Sequence, residues 1–216
     1  MYKDKEVVYP SGFSKSNLPR YQLLLTTPPQ LVCFPYDKLT GQPMIYASLG
    51  SVQNAKQQVF LAIAAACLGL DVQLVIAHGG GMDEKAVRSL PGSPLVVDYA
   101  PQPEILAPAM TITHAGMNTT LDSLAYGVPI VAVPITFEQP GTSARIRATA
   151  VGEVLSLHKL NISNLQSAIK RVLTENSYKQ NAQKIQQSIQ LSGGVKRAAN
   201  IIEQVTQPQR GVIATV

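Results

Sequence analysis

Tryptophan is absent from this chain, cysteine occurs only twice, and charged residues make up 14% of the 216 positions. Cys33 and Cys67 form neither a CxxC pair nor part of a Cys/His cluster, so the sequence indicates neither a disulfide framework nor a zinc site. Cys67 lies in an apolar helical pattern, where a buried free thiol is the ordinary explanation. We therefore expect a reduced, cytoplasmic protein.

Long hydrophobic runs are also missing. The longest, from Phe60 to Leu70, is too short to span a bilayer, and Asp71 follows it at once. No charged start followed by an apolar segment is present at Met1, so secretion is not indicated. The apolar share of 45% is typical of a soluble globular domain with a sizeable core.

The excess of positive charge is small. Lys and Arg number 18 against 13 Asp and Glu, and the densest groups are Lys170-Arg171 and Lys196-Arg197 on predicted helices. Scattered basic residues are typical of a solvated surface, so nucleic acid is not an expected partner. A mildly basic domain does suit an anionic small ligand such as a diphosphate.

From residue 43 onwards, short apolar strands alternate with helical patterns. The predicted strands are residues 44–48, 72–77, 95–98, 110–113, 130–133 and 153–156. The predicted helices are residues 54–68, 119–126, 140–150, 162–173, 178–191 and 195–205, with a short helical turn at 104–107. Residues 1–42 hold turn signals and one candidate strand at 21–25, and we interpret them as a linker or the remnant of a missing N-terminal domain. Residues 43–216 form one predicted domain.

This alternation predicts an α/β fold, a doubly wound, Rossmann-like parallel sheet of six strands with helices on both faces. The leading strand order, 3-2-1-4-5-6, places the first and fourth strands side by side at the topological switch point, where such sheets bind ligands. The loops that follow these two strands, residues 48–51 and 114–120, are small, polar and glycine-bearing.

The second loop leads into a predicted helix, whose N-terminus would bind phosphate through unpaired N–H groups and a partial positive charge. Gly116 would allow close approach, Asn118 and Thr119 would add hydrogen bonds, and His114 would donate to a phosphate oxygen, more strongly if protonated. Thr119 and Asp122 also have the spacing of a capping box, and spacing alone leaves the two interpretations open.

Two further segments follow predicted strands. Tyr99 would stack on a base that Gln102 would bond, although in isolation a Pro-rich turn is the better explanation of this segment. Glu138 and Gln139 would grip sugar hydroxyls, the alternative being an acidic residue favoured by a helix dipole. The three histidines of the chain have no metal-ligand neighbours at useful spacing, so no metal is predicted.

Two common phosphate-binding fingerprints are absent. The segment Ser48 to Gln53 carries one glycine rather than GxGxxG, and no GxxxxGK[ST] loop occurs. An NAD-dependent oxidoreductase is therefore disfavoured.

The stretch Val97 to Ile146 contains, in order, Tyr-Ala-Pro-Gln, His-Ala-Gly-Met-Asn-Thr, Gly-Val-Pro and Glu-Gln-Pro-Gly. It resembles the donor-binding signature of the UDP-sugar-dependent glycosyltransferases with the GT-B fold, and within them the bacterial zeaxanthin (carotenoid) glucosyltransferases. Residues 46–51 resemble the first strand and loop of the same domain. The resemblance covers residue 43 to the end of the chain.

The resemblance divides the candidate residues among the parts of a UDP-sugar. It implies that Tyr99 and Gln102 face the uracil and that Asp122 bonds the ribose. It also implies that Glu138 and Gln139 hold the hexose. The residues implied to contact the diphosphate are His114, Gly116, Asn118 and Thr119, with Gly50 and Ser51 opposite them. Three of these depart from the family pattern, with Tyr99 in place of the frequent Trp, Asp122 in place of Glu, and Glu138 in place of Asp.

The implied activity is metal-independent, inverting transfer of a hexose, glucose by resemblance, from a UDP-sugar to a hydroxyl of a lipophilic acceptor such as a carotenoid. No cofactor is implied. In this family the general base lies in the N-terminal acceptor domain, so no catalytic base is expected in this chain. Alternatives are a stand-alone donor subunit or a non-catalytic nucleotide-sugar-binding module that needs a partner chain, and a homodimer is a further option. A lipid acceptor would bring the protein to the membrane surface.

Overall fold

The computed structural model describes residues 34–51, 56–105 and 108–206. The candidate strand at 21–25 lies outside them, as do residues 54–55 of the first predicted helix and 106–107 of the predicted helical turn. The compact unit begins at Phe34, ahead of the domain boundary predicted at residue 43. Phe34 is buried, and the hydroxyl of the neighbouring Tyr36 donates to the Glu104 carboxylate at 2.8 Å.

One parallel sheet organises the described part of the chain. Its strands are β1 (Met44–Ser48), β2 (Gln73–Ala77), β3 (Leu95–Val97), β4 (Met110–Thr113), β5 (Ile130–Ala132) and β6 (Gly152–Val154). The order β3-β2-β1-β4-β5-β6 confirms the predicted doubly wound topology. The strand boundaries differ by a few residues, most clearly at β6, which ends at Val154 rather than Ser156.

Helices connect and flank these strands. They are α1 (Gln57–Cys67), α2 (Glu84–Arg88), α3 (Gln102–Ile105), α4 (Met117–Ala125), α5 (Gln139–Ala148), α6 (Ile162–Thr174), α7 (Asn176–Leu191) and α8 (Gly194–Thr206). Helix α2 was not among the predicted elements, and it begins where the Asp83 carboxylate accepts a hydrogen bond from the Ala86 N–H at 2.7 Å. Within the described residues, no helix is both long and apolar enough to cross a membrane.

The core lies on both faces of the sheet because successive residues of each strand point to opposite sides. Ile45 and Ala47 pack with α1 and α6 on one face, whereas Tyr46 packs with Phe34 and Ile105 on the other. The burial on both faces explains why the strands are apolar throughout instead of alternating with polar residues.

The register of β1 sets the position of the two glycine-bearing loops. Ser48, the last residue of β1, lies opposite Thr113 at the end of β4 and Ala77 at the end of β2. Residues 49–51 and residues 114–119 therefore leave the sheet side by side, at the same edge. We call the space between these two segments the crevice.

In β6, the outermost strand on one side of the sheet, Glu153 links the strand to α6 and α7. Its Oε1 accepts hydrogen bonds from Arg171 Nε at 3.0 Å and from the Tyr178 hydroxyl at 2.6 Å. These two bonds, that of Arg171 first, hold the pKa of Glu153 below its usual value, although burial acts in the opposite direction.

Because the folded-state pKa of Glu153 is depressed, its contribution to stability is present above the unfolded-state pKa and is lost as the pH falls through the folded-state pKa. We expect Glu153→Gln to lower the free energy of unfolding by about 1 kcal/mol at pH 7, and by less near pH 4. Urea unfolding at the two pH values checks this, with Glu203→Gln on exposed α8 as the control. An equal loss at both pH values would contradict the assignment.

Candidate functional site

The imidazole of His114 fills the centre of the crevice. A Cβ atom on Gly50 would lie 2.9 Å from His114 Cε1, and a Cβ atom on Gly116 would lie 2.5 Å from Nε2. Both distances are shorter than real Cβ atoms show, so the ring occupies space that only glycine leaves open. Gly50 also has a φ of +72°, in the left-handed region that favours glycine. Ser51 follows it at the exposed rim of the crevice.

His114 is a neutral hydrogen-bonding group in this position. Burial lowers the pKa of its imidazole, and neither the nearby Glu138 carboxylate nor a hydrogen bond to the backbone of Ser48 cancels the shift. At pH 7 the ring therefore carries one N–H. The charged donor considered in the sequence analysis would form only where an added anion raises this pKa again.

Helix α4 begins at the crevice with its N–H groups uncapped. Its N-cap is Gly116, which has no side chain to offer, and the first helical bond runs from Thr120 N–H to the Gly116 carbonyl at 3.1 Å. The N–H groups of the preceding turn thus lack helical partners. The helix starts two residues before the predicted Thr119, so Thr119 and Asp122 lie inside it and the capping box does not form. Asn118 is exposed beside these N–H groups.

Gln102 at the start of α3 is linked to both sides of the crevice. Its Nε2 donates to the Tyr46 hydroxyl at 3.1 Å and to Thr119 Oγ1 at 3.4 Å. The predicted base-binding residue and the predicted phosphate-binding helix are therefore held together. The sequence analysis did not single out Tyr46, because a tyrosine within an apolar strand gives no signal beyond core packing.

Asp122 lies one turn further along α4 and is half-buried. Burial raises the pKa of its carboxyl group, and the carboxylate acts electrostatically on Tyr46 and Tyr126. Within the described residues it makes no hydrogen bond or ion pair. A carboxylate whose oxygens have no protein partner suits the binding of vicinal hydroxyls.

Tyr99 follows β3 and is 49% exposed, with its hydroxyl donating to the Gly79 carbonyl at 3.3 Å. The adjacent His78 is buried: Nδ1 accepts from the Met82 N–H at 3.1 Å and Nε2 lies 2.8 Å from Asp98 Oδ1. The accepting Nδ1 assigns the ring proton to Nε2. These bonds fix the segment on which Tyr99 stands.

Glu138 and Gln139 begin α5 and differ in what they can bind. Gln139 is only 2% exposed, and its Oε1 accepts from the N–H groups of Ile135 and Thr136 at 2.8 and 2.9 Å. Of its amide, Nε2 alone remains for a ligand. Glu138 is exposed, and the turn between β5 and α5 holds Phe137 at a φ of +54°. Gln139 therefore supports the turn that presents Glu138.

An apolar groove of about 670 Å³ contains none of the predicted site residues. It lies between α1 and α6 and is lined by Leu61, Ala65 and Ile162 among others. In the ranges 34–51, 56–105 and 108–206, no group of three or more His, Cys, Asp or Glu is placed to hold a metal ion. The predicted site residues lie on the segments that follow β1, β3, β4 and β5.

A parallel sheet of this order, with two polar glycine-bearing loops at its switch point, defines a doubly wound α/β domain, a fold whose ligand sites lie at the carboxyl edge of its strands. Residues 38–191 match the family model described as UDP-glucoronosyl and UDP-glucosyl transferase, and the chain belongs to this family.

Individual relatives agree with this family. The zeaxanthin glucosyltransferase of Pantoea ananas is 38% identical over 173 residues, which cover 79% of this chain and 40% of that protein. The zeaxanthin glucosyltransferase of Pseudescherichia vulneris is 34% identical over 198 residues, covering 90% and 46%. The crystal structure of CalG4, the calicheamicin glycosyltransferase, matches with a TM-score of 0.71 at 27% identity and covers 77% of this chain and 45% of that one. The chain thus spans less than half the length of these relatives and corresponds to the C-terminal half of the GT-B fold.

Proposed function

We propose that this chain is the donor-binding half of a glycosyltransferase that moves glucose from UDP-glucose to a hydroxyl of a lipophilic acceptor such as a carotenoid. The observation that carries the proposal is the crevice, where Gly50, His114 and the uncapped start of α4 meet. Amide N–H groups that lack helical partners, an unobstructed backbone and an imidazole whose protonation an anion favours suit a diphosphate. The zeaxanthin glucosyltransferase relatives support the choice of sugar and acceptor.

In the proposed complex, each part of the donor has its own contacts. The diphosphate lies against His114, Gly116, Asn118 and Thr119 and opposite Gly50 and Ser51. The uracil lies against Tyr99 and Gln102, and the ribose hydroxyls bond to Asp122. The hexose bonds to Glu138 and to Gln139 Nε2. The carboxylates therefore meet hydroxyl donors, whereas the N–H groups meet the anion.

The proposed reaction is a single displacement at the anomeric carbon. The acceptor oxygen forms a bond to C1 as the bond from C1 to the diphosphate oxygen breaks, so the configuration inverts and UDP leaves with the electron pair. The acceptor proton passes to a base supplied by the other half of the enzyme. The protonated His114 imidazole and the start of α4 stabilise the charge that develops on the diphosphate, because both face it in the proposed complex.

Calorimetric titration of the full chain tests this proposal. We expect saturable binding of UDP-glucose and UDP and no binding of NADH. Absence of UDP-glucose binding at millimolar concentration, or binding of NADH instead, would overturn the proposal.

We also expect UDP-glucose binding to be independent of divalent metal, because N–H groups and His114 provide the favourable interactions with the diphosphate. The dissociation constant, measured by calorimetry, should agree within about twofold with and without EDTA. If EDTA abolished binding and Mg²⁺ restored it, the diphosphate would need a metal that this account does not include.

A second candidate is a donor subunit, or a non-catalytic binding module, that works with a separate partner chain. Helix α8 favours it, since none of its side chains is buried and Ile202 and Val205 are 63% and 79% exposed. Adding the N-terminal half of a zeaxanthin glucosyltransferase in trans would test it. Glucosyl transfer that appears only in the mixture supports the subunit, whereas UDP-glucose binding without transfer supports the module.

A further inference from the structure

A buried tyrosine of β1 contacts Gln102, the residue proposed to bind the base. Tyr46 of β1 has no solvent exposure, yet its hydroxyl accepts a hydrogen bond from Gln102 Nε2 at 3.1 Å. The second acceptor for the same nitrogen is Thr119 Oγ1 at 3.4 Å. One amide is thereby held between the sheet and α4.

The hydrogen bonds at Tyr46 define the orientation of this amide. Burial raises the pKa of Tyr46 to about 12, so the side chain stays a neutral phenol, and Gln102 Nε2 donates to its oxygen. With Nε2 of Gln102 turned towards the protein, Oε1 is the atom left to face outwards. Among residues 34–51, 56–105 and 108–206, Oε1 of the half-buried Gln102 has no hydrogen-bond partner.

We propose that Tyr46 is a positioning residue for nucleobase recognition, whose hydroxyl fixes the Gln102 amide with its oxygen towards the base and so selects bases with an N–H on the pairing edge, such as uracil and thymine, over cytosine. The inference rests on the proposed function, because it requires the base of the nucleotide to lie at Gln102.

The chemistry of the bases explains this selection. Uracil and thymine carry an N–H between two carbonyls, whereas cytosine has an acceptor nitrogen at the same place. A carbonyl oxygen held in one orientation accepts a hydrogen bond from the N–H of uracil or thymine. The same oxygen would face the lone pair of the cytosine nitrogen, which is unfavourable. A freely rotating amide would turn its nitrogen towards cytosine and lose the preference, so selectivity depends on the groups that hold the amide.

Titration of the full chain with UDP and with CDP tests the role of Tyr46. We expect the wild type to prefer UDP by about tenfold or more, and Tyr46→Phe, which keeps the ring and removes the hydroxyl, to lose most of this preference. Thr119→Val removes the second anchor and should lower the ratio in the same direction. It keeps the inference testable if Tyr46→Phe does not fold.

Tyr178→Phe is the matched control, because it also removes a partly buried hydroxyl hydrogen bond, the one to Glu153 at 2.6 Å, but on the edge strand β6, two strands away from β4. It should leave the ratio of UDP to CDP affinity unchanged even if the melting temperature falls. Wild-type binding of UDP with an unaltered ratio in Tyr46→Phe overturns the inference and leaves the proposed function intact. Failure of the wild type to bind UDP overturns both.

Discussion

Gly116→Ala is expected to lower the affinity of the chain for UDP-glucose by about a hundredfold, the loss of a strong hydrogen bond to a charged group. The new Cβ would lie 2.5 Å from His114 Nε2 and 2.6 Å from Cε1, so the ring must leave its place. The methyl group would also stand where the diphosphate approaches α4. The backbone of Gly116, with φ of −62°, accommodates alanine without strain, so the effect is steric.

Calorimetry with UDP-glucose measures this effect, and Gly141→Ala is its control. A Cβ on Gly141 meets nothing within 4 Å, and the residue lies in α5, where alanine is the better helix former. Gly116→Ala should cost less affinity in a His114→Ala background, because the displaced ring is then absent. Wild-type affinity in Gly116→Ala would show that the diphosphate binds elsewhere.

The second large effect is expected from His114→Ala, which removes the only imidazole in the crevice among the described residues. We expect UDP-glucose affinity to fall by about ten- to a hundredfold, since a hydrogen bond to a charged acceptor is lost. His158→Ala, on an exposed turn after β6, should bind like the wild type. Equal affinity of His114→Ala and the wild type would remove His114 from the site.

His114 should also make binding depend on pH. Its pKa in the free protein is below 6.5 because of burial, and a bound diphosphate favours the protonated form, so the pKa rises on binding. Binding then takes up protons, and affinity for UDP-glucose increases as the pH falls through the raised pKa of His114 in the complex. The dependence should be absent in His114→Ala. The same pH dependence in this variant would assign it to another group.

The strand order and the meeting of two loops could be predicted from the sequence because they depend on strongly patterned features. Strands such as β1 and β4 are short, apolar runs bounded by polar glycine segments, and right-handed crossovers leave few ways to arrange them. The positions of Gly50 and His114 at one edge follow from that order alone. No side-chain detail was needed.

The start of α4 could not be located in this way. Thr119 and Asp122 have the spacing of a capping box, and that local signal competed with Gly116, which serves as N-cap without any side chain. The backbone conformation decides the outcome: Ala115, directly before it, has a φ of +66°, which no sequence pattern here indicated.

Long-range side-chain contacts were equally inaccessible. Tyr46 and Gln102 are far apart in the sequence, and so are His78 and Asp98, yet each pair forms a hydrogen bond or ion pair that fixes a loop. His78 and Asp98 follow the neighbouring strands β2 and β3, whereas Gln102 lies on the helix between β3 and β4 and meets β1, so only the completed sheet brings each pair together. Gln139 shows the related problem of a residue whose amide oxygen serves the protein's own turn.

A crystal structure of the full chain with UDP-glucose tests the central claim most directly. The account predicts diphosphate oxygens about 3 Å from His114 and from the N–H groups at the start of α4, facing Gly50. A nucleotide seated elsewhere, for example in the apolar groove between α1 and α6 with the crevice left to solvent, would contradict it.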